Sequence, residues 1–543
     1  MTPDKLRFAR LILAAALLGA PLSAMAQTTD ADPASADAPA AAAAVPTMAE
    51  IEQAWAANDF VTVREGLKIL AETEGSALAQ YRYGRVLAEG RGGPRDIEGA
   101  AQWLQQAVQQ GNNDAAVLLA RIYLSSQSDD AAKAAGELLS LAAARGQAEG
   151  QYYLGLLYRS GRGVEQDMKQ AYNWFLASAE QGFVESQYEL ARAYSRGEGT
   201  IQDNEEAVKW LSEAASNGHV NSQMLMANAL AKGQGVAQDE KAAVNWYRRA
   251  AEAGNLVAQR ELGMHYLRGV GADPNPEEAL RWLTAAAQAG EPGAQVNLGL
   301  AFAEGEEFGI KRNDEIAVQW YAKAAAQSSP QGMTALARMQ ETGRGMPQDL
   351  PAAVDLLRRA VREMGFAPAA LRLGELAGEG KLDGLVAPQT AVPWVVLAAE
   401  TGNETARAWL DEQAKGENRP ARTGLALLLL KEEGQEPRAA ALFAAAAEEG
   451  DVLAQFKLGE LYATGAGVDL DYVQAHKWFN IAAAQGNAAA AEQRANVGKL
   501  MTPEQIAEAQ ALARTWFDQE SARIPQTDQK QTQANPAAPR TND

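Results

Sequence analysis

Apolar positions in residues 147–182 fall into two short runs of helical spacing. Tyr152, Leu154, Leu157 and Tyr158 form the first, with Gly155 among them where a neighbouring helix can approach closely. After Gly161-Arg162-Gly163 and a polar stretch, Ala171, Trp174 and Ala179 form the second. The pattern predicts helix, tight turn, helix, tight turn. Neither apolar stripe finds a partner within so short a unit, so both would face water unless another unit stacked on them.

Other units are there to stack. Trp174, Trp210, Trp246 and Trp282 stand thirty-six residues apart, and each is followed eight residues later by a glycine: Gly182, Gly218, Gly254 and Gly290. Trp103 with Gly111, Trp394 with Gly402 and Trp478 with Gly486 keep the same offset. A fixed period of this length predicts an all-α chain, a right-handed α/α solenoid of stacked helix-turn-helix repeats. Leu356 and Leu442 replace the tryptophan in its register, and a position that accepts Trp or Leu reads as core. The expected organisation is N-terminal capping helices over 47–75, a repeat array over 76–402, degenerate helical repeats over 403–450, a last repeat over 451–486 and a capping helix over 487–520.

Some units depart from the pattern. Residues 112–146 replace the glycine turn with "SSQSDD", and 291–328 gains two residues around "EGEEFGI". Pro393 directly precedes Trp394, so the second helix of that unit is expected to start late. From 403 to 450, Trp409 and the run Leu425–Leu430 keep a helical character without the glycine signature.

Gly161-x-Gly163 resembles a piece of phosphate-binding loop, but the context is wrong. A dinucleotide loop needs a preceding strand and a third glycine, and Gln166 stands at the third position. The turn also returns as "GEGTIQD", "GQGVAQD", "GRGMPQD" and "GAGVDLD". Its first glycine suits the left-handed residue that closes a helix, and its aspartate suits an N-cap. Asp167 with Gln170, Asp203 with Glu206 and Asp471 with Gln474 have the spacing of a reciprocal capping box. Asn275-Pro276 repeats the logic with proline at the first helical position.

Charge and composition narrow the function. The formal charge is −20, which repels phosphate backbones and anionic lipid surfaces, so nucleic acid is not an expected partner. Lys5, Arg7 and Arg10 precede the apolar stretch Leu11 to Ala20 and then Ala24-Met25-Ala26, the layout of a secretory signal peptide over 1–26 with cleavage after Ala26. The mature chain is then expected to be periplasmic or secreted, with no direct membrane insertion. Residues 27–46 and 521–543 lack the large apolar groups of a core and read as a disordered linker and tail. The chain has no cysteine, which rules out thiol chemistry and cysteine-bound zinc.

Catalytic constellations are thin. His219, His265 and His476 fall in different repeats, with no metal-ligand spacing between them. The pairs Glu205-Glu206 and Glu277-Glu278 open second helices, where negative charge complements the helix dipole. No catalytic residue, metal or cofactor is implied. One candidate binding feature remains. Arg159, Arg196, Lys232 and Arg268 end successive first helices beside the glycine turn, with Arg192 and Met264 on the adjacent face. They would draw a basic ridge along an acidic array and meet an acidic or carboxylate-ended partner; cations at helix C-termini give the same pattern without any partner.

The unit "A-x-x-Q-Y-x-L-G-x-x-Y-x-x-G-x-G-V-x-x-D" followed by "A-x-x-W-x-x-x-A-A-x-x-G" resembles the Sel1-like repeat, a relative of the tetratricopeptide repeat, over roughly 76–486. Residues 475–516, with Met501-Thr502-Pro503-Glu504 opening a capping helix, look like the usual finish of bacterial members. The resemblance implies a non-enzymatic scaffold that docks a protein or extended peptide, an adaptor or regulator of an envelope complex or signalling pathway. Some Sel1-repeat proteins have been described as β-lactamase-like, but that branch is cysteine-rich and this chain has neither cysteine nor Ser-x-x-Lys. Two alternatives stay open. One is a binder or hydrolase of cell-wall fragments with a pocket in 365–450; the other is a secreted effector that engages a host protein.

Overall fold

The computed structural model describes residues 45–523. The segment read as a signal peptide, nearly all of the 27–46 linker and the tail beyond Arg523 lie outside the described residues. Among those described are twenty-seven α-helices, one 3-10 turn and no strand, so the tertiary contacts are made by helix against helix. The chain is an all-α repeat solenoid, and its contacts divide it into a unit up to Trp282 and a unit from Leu283.

Within each unit a first helix packs on the second helix of its own repeat, and that second helix on the first helix of the next. The Ala148–Ser160 helix shows why the spacing works. Leu154 and Leu157 are buried, and a Cβ on Gly155 would lie 2.6 Å from the Phe175 ring of its partner helix. In the Met168–Ala179 helix the buried residues are Ala171, Phe175, Ser178 and Ala179. The large core side chain is therefore the residue after the tryptophan, not the tryptophan. Leu104, Phe175, Leu211 and Tyr247 fill this register in the first unit, and Leu357, Phe443 and Phe479 in the second. Trp174, Trp210 and Trp246 are only half-buried, so the expectation that this register is core holds at Trp282 and Trp478, which are buried, but not at these three. Several outer indole faces are covered by cations: Arg249 lies 4.7 Å from the Trp246 ring, Lys323 3.9 Å from Trp320 and Lys477 4.1 Å from Trp478.

The glycine turn is structural at both of its glycines. Gly161 closes its helix at φ 70°, and Gly163 also has positive φ, at 76°. A Cβ on Gly163 would lie 2.2 Å from the carbonyl oxygen of Ala132, so the turn rests directly on the preceding repeat's backbone. Asp167 then caps the next helix, its carboxylate accepting from the Lys169 and Gln170 amides. The reciprocal half of the capping box does not form, because the Asp167 amide already donates to the Tyr158 carbonyl at 2.9 Å. Asp203 and Asp471 spend their amides likewise, on Tyr194 and Tyr462. The glutamine before the cap closes the first helix: Gln166 donates to the Arg159 carbonyl at 2.8 Å, and Gln202 to Ser195 at 3.0 Å.

Arginine inside a Gly-Arg-Gly turn reaches back to the end of the preceding first helix. Arg162 donates to the carbonyls of Leu124 and Ser126. Arg344 donates to Ala303 at 2.7 Å and pairs with Glu304 and Asp314. Arg91 stacks on Trp55, 5.1 Å from its ring. In all three cases the preceding repeat lacks a Gly-x-Gly turn of its own. Arg162 and Arg344 thereby donate to helix-end carbonyls of a repeat without that turn, and Arg91 covers an aromatic ring there.

Two irregular segments differ from expectation. The helix carrying Pro393 begins early, at Pro388, with Pro393 inside it. Pro393 and Gln389 are both exposed, so the Gln389 carbonyl that loses its helical donor faces solvent. A Cβ on Gly374 would meet the Trp394 carbonyl at 2.1 Å, so here the partner backbone fills the space that an aromatic ring fills elsewhere. At the C-terminus the single capping helix expected over 487–520 is two, Ala488–Gly498 and Pro503–Arg523. Residues 403–450 form Glu404–Lys415, Arg419–Leu429 and Glu436–Glu448, held by fully buried Leu410, Leu429 and Phe443.

A buried glutamine joins each regular repeat to its neighbours. Gln151 donates to the Ala143 carbonyl at 3.3 Å and accepts from Gln181 at 2.7 Å. Gln187 accepts from Asn217 at 3.0 Å, Gln295 from Gln327 at 2.8 Å and Gln455 from Gln485 at 2.7 Å. The ladder lapses at Gln223. Its amide donates to Ala215 at 3.2 Å, but its oxygen has no partner, and the register of Gln181 and Asn217 is occupied by Ala253. Ala253→Gln should complete the rung and raise stability by about 1 kcal/mol. A denaturant midpoint that does not rise would mean the new side chain turns to water instead.

Candidate functional site

The proposed basic ridge is only partly assembled. Arg196, Lys232 and Arg268 end the Val184–Arg196, Val220–Lys232 and Leu256–Arg268 helices at one register. All three are exposed; Arg196 pairs with Glu198 at 3.3 Å, and no carboxylate pairs with Lys232 or Arg268 among the described residues. Arg159 stands one position earlier in its helix than these three do in theirs, and that offset turns it elsewhere. It pairs with Glu189, its guanidinium 5.7 Å from the Phe175 ring, and Arg192 meets the same carboxylate at 2.8 Å. Arg159 and Arg192 are thus brought together around a buried glutamate and belong to an inter-repeat clasp. Met264 is 7% exposed and lies in the core, so it is no part of a surface.

The histidines and acidic pairs have local roles. His219 caps the Val220–Lys232 helix by accepting from Ser222, and burial pushes its imidazole below the ordinary value. His265 bonds the Val270 carbonyl at 2.8 Å. His476 is buried, and burial together with Arg494 pushes its imidazole below the ordinary value. Glu206 pairs with Lys209 on its own helix, and Glu278 with Arg281 and the Trp282 indole.

A site that the sequence reading did not find lies between the Ala77–Glu89, Asn113–Leu124 and Ala148–Ser160 helices. It is a cleft of about 500 Å³, open on one side. Val117, Leu118 and Ile122 supply apolar wall. Val117 stands where Tyr152 and Tyr188 stand in the next two first helices. The shorter side chain at this position leaves space. It falls in the unit that replaces the glycine turn with "SSQSDD".

Charges of both signs rim the cleft. Arg85 pairs with Glu89 at 2.8 Å, and Arg91 meets the same carboxylate from outside. Partial burial works to raise Glu89, yet the two guanidiniums hold its carboxyl below the ordinary value. Burial pushes the Tyr81 hydroxyl up. Arg121 pairs with Glu149 at 3.2 Å across the repeat boundary and lies 5.5 Å from the Tyr153 ring. Arg95 is exposed and fixed by one bond, from Nε to the Ala88 carbonyl at 2.9 Å; no carboxylate pairs with it among the described residues. Asp114, opposite, accepts only the Gln147 amide at 3.3 Å. Among the described residues no group of His, Asp and Glu is placed to hold a metal ion.

The repeat itself is recognised by a family model, the Sel1 repeat, which matches residues 77–112, 148–183, 184–219, 220–255, 256–291, 292–329, 330–363 and 452–487. These eight segments make up more than half of the chain. The chain belongs to the Sel1-repeat family. Sel1 repeats generally mediate protein–protein interaction, and their scaffold is typically non-catalytic. The unmatched stretches, 113–147 and 364–451, contain the "SSQSDD" unit and the helices around Pro393 and Phe443.

This Sel1-repeat protein shares its fold with a solved structure. It is similar to the structure of a protective antigen of uropathogenic Escherichia coli with an SLR fold, at 28% identity and a TM-score of 0.55, covering 88% of this chain and 99% of that one. A Sel1-repeat protein from Oxalobacter formigenes matches at 29% identity and a TM-score of 0.39, over 44% of this chain and 96% of that one. Chitin synthase regulatory factor 3 of Schizosaccharomyces pombe is 29% identical over 187 residues, 33% of this chain but only 18% of the relative's length.

Proposed function

We propose that this Sel1-repeat protein is an exported, non-enzymatic scaffold of the periplasm, an adaptor or regulator that assembles or restrains a protein complex of the cell envelope. The observation that carries this reading is the division of labour within the repeat. Core, turns and glutamine rungs use nearly every recurrent residue for stacking, while exposed positions of the first helices differ from repeat to repeat: Glu185, Asn221 and Val257 occupy one register. A constant interior beneath a varied surface suits recognition of one partner through many modest contacts. The yeast relative is named as a regulator of a synthase, which accords with a regulatory role. The N-terminal charge and apolar pattern supports export.

Site-specific photo-crosslinking in cells tests the reading. A crosslinker at exposed Leu225, on a first helix, should give one discrete protein adduct in the periplasmic fraction; one at exposed Lys209, on a second helix, should give none. Equal labelling from both positions, or recovery of the chain in the cytoplasm with Met1 retained, overturns it.

A further inference from the structure

The cleft beside the "SSQSDD" unit has a direction built into it. Asp114 and Glu149 sit in the first turns of the Asn113–Leu124 and Ala148–Ser160 helices, at one end of the wall. Ser125 follows the last residue of the first of these helices, and Arg95 is tied to Ala88 at the end of the Ala77–Glu89 helix, at the other end. Val117, Leu118 and Ile122 lie between. Arg85 with Glu89 and Arg121 with Glu149 are ion pairs along this wall, which leaves Asp114 at one end and Arg95 at the other as the charges without an ionic partner among the described residues.

The dimensions fix the size of what fits. Asp114 and Ser125 are eleven residues apart on a helical rise, or about 16 Å. An extended chain advances about 3.3 Å per residue, so this length takes about five residues. We infer that the cleft binds a short extended peptide segment of one polarity: a basic side chain toward Asp114, an apolar side chain over Leu118 and Ile122, and a carboxylate toward Arg95.

The charges that would bind such a segment are the ones left available. Asp114 and Arg95 lack ionic partners, whereas Glu89 and Glu149 are already neutralised by arginines. A purely acidic segment would meet Asp114 at one end, and a purely basic one Arg95 at the other. Only a segment carrying both signs satisfies both ends. The Tyr81 hydroxyl adds a donor beside the apolar wall.

This assignment rests on the interaction reading above, and its test separates the two. Titration calorimetry on the full chain compares three blocked pentapeptides, Lys-Leu-Val-Leu-Glu, Lys-Leu-Val-Leu-Lys and Glu-Leu-Val-Leu-Glu. The mixed-sign peptide should bind at least about fivefold tighter than either same-sign one, because only it places an opposite charge at both ends. Arg95→Glu, at an exposed position, should weaken the mixed-sign peptide at least about tenfold and make Lys-Leu-Val-Leu-Lys the preferred one. Val117→Tyr, which restores the residue type of the following repeats, should abolish binding.

Equal affinity for the three peptides, indifference to Arg95→Glu, or binding of none of them overturns the proposal. If Val117→Tyr fails to fold, Arg95→Glu decides alone. A discrete adduct at Leu225 alongside any of these failures leaves the scaffold reading standing and removes only the cleft.

Discussion

Gly199→Ala should cost about 3 kcal/mol, while Gly182→Ala, in a backbone conformation almost as unusual, should cost about 1. Both glycines have positive φ, 74° and 84°. They differ in what an added methyl group would meet: a Cβ on Gly199 lies 2.0 Å from the Met168 carbonyl oxygen, and one on Gly182 meets nothing within 4 Å. The conformational cost is shared, so the difference isolates the contact between one repeat's turn and the next repeat back. Equilibrium denaturation of the pair measures it, and hydrogen exchange around 168–203 shows whether the loss is confined to that seam. Equal costs would show that the turn can lift off without penalty.

Asp314→Asn should cost about 1.5 kcal/mol at pH 7, after allowance for screening at a site close to the surface. Hydrogen bonds from Arg312 and Arg344 hold the Asp314 carboxyl down at about 2, from an ordinary 3.8. A carboxyl lowered on folding contributes stability that is fully present above 3.8 and lost as the pH falls through about 2. The wild-type chain should therefore lose this increment between pH 4 and pH 2, and the variant should lack that part of its acid dependence. Parallel curves for the two proteins across that window would place the stability of the seam elsewhere, in the bond from Arg344 to Ala303.

Helical repeats could be read from the sequence because the features that build them are local. Leu154 and Leu157 share a face by spacing alone, and Gly161 with Asp167 marks a helix end and a helix start without reference to anything distant. The errors have the opposite character. The tryptophan is the most visible recurrent residue, yet at Trp174 the neighbouring Phe175 takes the core place; which of the two points inward depends on how the next helix leans. The capping box at Asp167 was drawn from a correct spacing, but the Asp167 amide is spent on Tyr158, nine residues away.

The functional surface was harder still. Arg159 looks equivalent to Arg196 in a list of helix-ending cations, and a shift of one position puts it on Glu189 instead. The cleft arises from what Val117 lacks relative to Tyr152 and Tyr188, a signal available only by laying the repeats over one another and looking for the smaller residue. The glutamine of the motif was visible throughout, at 151, 187, 223, 259, 295 and 455. Its meaning needed the carbonyl it reaches, which lies in the preceding repeat.

The arginines of the Gly-Arg-Gly turns bear on how such a chain can be cut and rejoined. Because Arg162 holds the end of the Asn113–Leu124 helix, the "SSQSDD" unit and the unit after it form an indivisible pair. A graft made at residue 147 would separate that helix end from its donor, whereas a graft at 183, beyond the turn, would carry both. For a designer of chimeric arrays the portable piece is therefore sometimes two repeats long. For a lineage that lengthens or shortens its array by recombination, the irregular repeats travel with their successors.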